Sequence, residues 1–104
     1  MYEVTEVVEN DTDSELLLII EPWGDELVIG PRQRFTVRFR APTRGASETH
    51  RAPGAVTVFA WSGATAEVLD GDRLVRDYPT AVPPLPPAMS VRQFLHLFGL
   101  NEKK

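Results

Sequence analysis

Six arginines fall within residues 31–51: Arg32, Arg34, Arg38, Arg40, Arg44 and Arg51, against a single acid, Glu48. Planar guanidinium groups hold carboxylates and phosphates through paired N–H donors, so such a row is suited to anion recognition rather than bond making. Residues 1–30 carry the opposite charge, with Glu3, Glu6, Glu9, Asp11, Asp13, Glu15, Glu21, Asp25 and Glu26 and no Lys or Arg. The net charge of −4 therefore hides a chain that is about −9 and then about +5 (six Arg less one Glu). Two readings follow. In one, the stripe recognises an acidic protein partner. In the other, neighbouring strands bring the early acids against it, each pair contributing roughly 0.2–1 kcal/mol. Asp25 and Glu26, on the segment just before the stripe, are the expected mates. The pI of 5.1 opposes a phosphate backbone, so nucleic acid is not the expected partner.

Other chemistry is sparse. The chain has no Cys, which removes disulfides, thiolate metal sites and a cysteine nucleophile. His50 and His96 are not at ligand spacing, so no metal and no cofactor is expected. Asp11-Thr12-Asp13-Ser14-Glu15 opens like a calcium loop, but Leu16 stands where the sharp turn needs Gly and Pro22 falls at the last ligand position. There is no nucleophile elbow and no phosphate loop. Glu21 directly follows five apolar residues. It either accepts hydrogen bonds from loop amides or joins Arg38 and His50 around an end pocket, as in a small enzyme or an anion-ligand binder. Trp23 either plugs the end of the fold or forms part of a binding surface. Asn10-Asp11-Thr12 matches a glycosylation acceptor and is read as chance.

These side chains need a scaffold, and period-2 alternation supplies it. Residues 2–8 alternate. Leu16 to Ile20 is apolar at every position, which calls for a central strand covered on both faces. Leu27-Val28-Ile29 is a short strand, and Gly30-Pro31-Arg32-Gln33 a turn. Phe35, Val37 and Phe39 then point inward, and Arg34, Arg38 and Arg40 outward. Pro42 to Gly54 reads as a long loop, rich in Gly, Pro, Ser and Thr. Val56 to Trp61 is a strand, with Trp61 in the core. Glu67-Val68-Leu69 and Leu74-Val75-Arg76 flank Asp70-Gly71-Asp72, a hairpin signal.

The tail is different. Pro83 to Pro87 is extended and stiff; its PxxP spacing lacks an orienting basic residue, so it reads as a connector. Ser90 and Gln93 form a capping box, Val91, Phe94, Leu95 and Phe98 share one helical face, and Gly99 supplies the stop. So short a helix must dock, and the outer face of the Leu16–Ile20 strand is where it is needed. Without that cover a second copy of the chain is required there, giving a homodimer.

Leu17-Leu18-Ile19-Ile20-Glu21-Pro22-Trp23-Gly24, followed by Ile29-Gly30-Pro31 and Arg34-Phe35-Thr36-Val37, resembles small bacterial single-domain β proteins. In those, an apolar strand ends in Glu-Pro-Trp-Gly, followed by a Pro-Gly turn and a strand; here the turn is Gly-Pro. The resemblance covers about a fifth of the chain and implies a bacterial β domain without a particular activity.

The expectation is an all-β, antiparallel sandwich of about seven strands, immunoglobulin-like or cupredoxin-like without copper, with one C-terminal helix packed on a sheet. Residues 1–82 form the sandwich, and 83–104 the connector and helix of the same domain. No apolar run approaches the roughly 20 residues of a membrane helix. The acidic N-terminus is unlike a signal peptide, so the expected setting is cytoplasmic. The expected function is a non-catalytic binding or accessory module using Arg32, Arg34, Arg38, Arg40, Arg44, His50, Arg51 and Trp23.

Overall fold

In the computed structural model the described residues are 1–85 and 89–97. The alternating segments become β1 (Tyr2–Glu9), β2 (Leu16–Glu21), β3 (Asp25–Ile29), β4 (Arg34–Ala41), β5 (Glu48–Ala52), β6 (Ala55–Phe59), β7 (Thr65–Asp70) and β8 (Arg73–Tyr78). They form two four-stranded sheets, sheet A in the order β1-β4-β7-β8 and sheet B in the order β3-β2-β6-β5. Alternation explains the core. Val8, Phe35, Val37, Phe39, Ala66 and Val68 from sheet A are buried with Leu18, Ile20, Leu27, Ile29, Val56 and Val58 from sheet B.

Two expectations on architecture are corrected. The described strands number eight, and β5 lies inside the stretch from Pro42 to Gly54 that reads as loop. It is an edge strand, exposed at Thr49 to Ala52, so no apolar alternation marks it. Its hairpin to β6 turns at Pro53-Gly54, where Gly54 has φ +76°. Nor is the sandwich wholly antiparallel, because β2 and β6 run parallel. Gly30 to Gln33 carries the chain from sheet B to sheet A instead of closing a hairpin.

The helix α1 (Val91–Leu97) is capped as its sequence predicts. The Gln93 amide donates to Ser90 Oγ at 3.1 Å, and the Ser90 amide donates to Gln93 Oε1 at 2.9 Å. Val91 and Leu95 are buried and Phe94 half-buried. Phe98 and Gly99 lie outside the described residues. Arg92 stacks over Phe59, an outward residue of sheet B, so α1 lies against that sheet's outer face. The chain reaches it after Val82, whose amide donates to the Ala64 carbonyl at 2.9 Å and whose carbonyl accepts from Gly63 at 2.9 Å.

Two polar hubs tie loops and edges together. The Asn10 side chain is 1% exposed. Its Nδ2 donates to the carbonyls of Ser14 (2.7 Å), Ile29 (3.0 Å) and Gly30 (3.0 Å), and its Oδ1 accepts from the Thr12 amide and hydroxyl. That nitrogen is inaccessible in the folded protein. At the β3–β8 edge, the Tyr78 hydroxyl donates to Asp25 Oδ2 at 2.6 Å, and Arg76 Nε lies 3.4 Å from the same oxygen. Burial, then the hydrogen bond to Asp25, pushes the Tyr78 phenol far above its ordinary value of 10.0.

Asn10→Ala removes a buried donor and strands up to three carbonyls. The expected cost is about 3 kcal/mol, read as a lower urea midpoint, with Thr12→Ala costing less. Tyr78→Phe tests the second hub. Because the fold favours the neutral phenol, Tyr78's contribution is complete below the unfolded phenol's pKa and fades as pH rises above it. The variant should be less stable by about 1 kcal/mol at neutral pH, and the gap should close above about pH 10. Urea unfolding at a series of pH values checks both statements.

Candidate binding surfaces

On sheet A the arginines of β4 do point outward, and most meet an acid there. Arg38 donates through Nε and Nη2 to Glu67 Oε1, at 2.8 and 2.5 Å. Arg40 Nε donates to Glu3 Oε1 at 3.1 Å, and its Nη2 lies 3.8 Å from Glu67. Arg32 donates to Asp13 at 2.7 Å and to the Asp11 carbonyl at 2.6 Å. Arg34 sits opposite Glu9 in the β1–β4 register but has no ion pair among the described residues. The expected mates Asp25 and Glu26 are corrected: they belong to β3 in the other sheet, since β3 pairs with β2 and not β4. The acids that neutralise β4 come from β1 and β7.

Trp23 plugs an edge. Its ring stacks on Tyr78 with centroids 5.2 Å apart, and its indole N–H donates to the Thr80 carbonyl at 3.1 Å. Trp61 is half-buried and meets Phe39 edge-on at 5.8 Å. The loop before β5 is seated on it: a Cβ at Gly45 would lie 2.1 Å from the Trp61 ring, so only glycine fits. Ser47 Oγ donates to Glu6 Oε2 at 2.5 Å and ties the same loop to β1. Arg44 lies over the Tyr2 ring, 5.5 Å from its centroid. Neither Arg44 nor Arg51 has an ion pair among the described residues.

A cleft of about 880 Å³ opens between the outer face of sheet B and α1. Register explains its lining. Glu21, Phe59 and Glu48 form one cross-strand row, Ile19, Thr57 and His50 the next, and Ala55 and Ala52 the third. The helix adds Ser90, Arg92, Gln93 and His96. Arg92 Nη2 is 3.3 Å from His50 Nδ1, and Nη1 is 3.9 Å from Glu48. Glu21 is 5% exposed. Among the described residues no three of His, Asp or Glu come together as a metal set.

The pocket expected from Glu21, Arg38 and His50 is thus assembled only in part. Glu21 and His50 line the cleft, but on strands separated by β6, on the order of 10 Å apart. Arg38 faces away on the other sheet. Arg92 is the guanidinium that reaches His50, and sequence reasoning missed it. The helical spacing of Arg92 and His96 puts both on one flank of α1, but nothing in the sequence turns that flank toward β5. No family model, no curated protein and no solved structure matches the chain. No described helix is long and apolar enough to cross a membrane.

The Arg38–Glu67 pair is partly shielded, with side chains 31% and 22% exposed. A double-mutant cycle on Arg38→Ala and Glu67→Ala should return a coupling of about 1 kcal/mol that shrinks as salt is added. A coupling near zero would remove this pair as the reason the stripe is neutral.

Proposed function

We propose that this chain is a non-catalytic binding module that takes an extended, acidic segment of a partner protein along the open edge of β5. The carrying observation is where the uncommitted cations lie. Arg32, Arg38 and Arg40 are engaged by Asp13, Glu67 and Glu3. Of the other three cations of the stripe, none has an ion pair among the described residues: Arg34 stands opposite Glu9 on β1, whereas Arg44, in the loop, and Arg51, on β5, have no acid against them. The sandwich carrying them is read as immunoglobulin-like or cupredoxin-like.

The strand beside them suits the task. Among the described residues β5 pairs only with β6, which leaves its other side as an open sheet edge of amides and carbonyls. An extended segment adding there gains backbone hydrogen bonds for affinity and alternate side-chain contacts for specificity. Gly45 on Trp61 and Ser47 on Glu6 hold the loop in place, which lowers the entropy lost on binding. The other edges fit an acidic segment less well. β3 and β8 are drawn together by Asp25, and β1 carries Glu3, Glu6 and Glu9.

A labelled synthetic peptide of alternating Glu and Val, followed by fluorescence anisotropy, is the probe. It should bind, more weakly as salt rises. Arg44→Glu combined with Arg51→Glu should weaken it by at least about tenfold, the effect of losing one or two charge-assisted contacts. Arg38→Ala should not weaken it, and backbone N-methylation of the peptide should abolish binding. The reading fails if the double reversal changes nothing, or if Arg38→Ala matters as much.

A further inference from the structure

Beyond the edge of β5 and independent of it, we infer that the cleft under α1 is a binding site for a small amphipathic carboxylate, an anionic head on an aliphatic chain. Its size lies within the range of small-molecule sites, roughly 300–1,000 Å³. Its floor is apolar apart from Thr57: Ile19, Phe59 and Ala55 face outward from sheet B, and Ile19 and Phe59 are only 5% and 4% exposed. The rim is polar and carries nitrogen donors beside the Glu48 carboxylate. Arg92 and His96 look in from α1, one helical turn apart, and His50 looks in from β5.

The geometry of Arg92 sets the sign of the ligand. Its ring contact with Phe59, at 6.0 Å, fixes the guanidinium over the floor. A guanidinium has no acceptor, so in its 3.3 Å contact with His50 it donates and Nδ1 accepts. A neutral His50 then carries its proton on Nε2, a donor for an incoming anion. Glu48, at 3.9 Å, is beyond hydrogen-bond reach of the guanidinium, which keeps other N–H groups for a ligand. Of the carboxylates in the cleft, Glu21 is already engaged and Glu48 is drawn to Arg92. A cationic head would meet Arg92 as a like charge. A carboxylate head can bridge Arg92 and His50 while its chain lies along Ile19 and Ala55.

Titration of the whole chain with octanoate, following the imidazole resonances of His50 and His96, tests this. A saturable shift of the His50 signal at millimolar or lower ligand is expected. Octylamine, with the same chain and the opposite head, should give none. Arg92→Gln should weaken octanoate binding by at least about tenfold. The Arg44→Glu, Arg51→Glu variant should bind octanoate as the parent does, which separates this site from the edge of β5. The inference is overturned if octanoate gives no saturable shift, if octylamine binds equally, if Arg92→Gln has no effect, or if the β5-edge variant loses octanoate. Comparing the two heads on the unaltered chain keeps the test valid should Arg92→Gln disturb the helix.

Discussion

β2 is apolar on both faces, and much of the molecule answers that constraint. Leu18 and Ile20 fill the space between the sheets, while Ile19 points the other way and is still 5% exposed. An outward apolar row on a sheet faces water unless a further layer covers it. Here a second layer is needed on sheet B alone. The chain supplies it by running from β8, past Ser62 to Ala64, to the capped turn at Ser90. A seven-residue helix is too short to persist alone, so it exists because Val91 and Leu95 are buried in the core cluster. The cleft is the space left where a narrow helix meets a wider sheet.

Charge on sheet A follows from the same parity that builds the core. Once Phe35, Val37 and Phe39 are inside, Arg38 and Arg40 have to be outside, and cross-strand neighbours decide their fate. β1 places Glu3 beside Arg40, and β7 places Glu67 beside Arg38. The sorted charges of the chain are thereby mixed on one face. The long-range charge asymmetry of the sequence becomes local pairing, which leaves Arg34 at the start of β4 and the cations of the loop and β5 without an ion pair among the described residues.

Parity, the hairpin at Asp70-Gly71-Asp72 and the capping box were all legible, because each depends on residues a few positions apart. Three features were not. β5 hides because both its faces are wet, so its strand character comes from pairing with β6 and from the Pro53-Gly54 turn rather than from apolar alternation. The sheet change at Gly30 to Gln33 hides because a tight turn reads the same whether it closes a hairpin or crosses the sandwich. There Arg32 takes φ 63°, a conformation that favours glycine, and its guanidinium is engaged by Asp11 and Asp13. Asn10 reads as a turn residue, and its role as a buried link between two loops needs Ile29 and Gly30 brought alongside. The cleft was half legible. Glu21 and His50 were expected around one pocket with Arg38, but the cation beside His50 is Arg92, from a helix 42 positions further along the chain.

β5 is where the remaining chemistry meets. In an edge strand, one side chain in two faces the sheet's outer surface and the next faces the opposite way, while the backbone faces neither. Its register with β6 puts Glu48 and His50 on the cleft side and Thr49 and Arg51 on the other. Among the described residues this five-residue strand thus offers an imidazole to the cleft, a guanidinium to the opposite face and an open backbone edge between them. Such a strand adds little to the core, since all but Glu48 of its residues are exposed. Its hold on the protein comes from the ladder to β6, the tight turn at Gly54 and the loop seated on Trp61. The energy that stabilises β5 is therefore local and polar, and its outward groups can change ligand without disturbing the apolar interior.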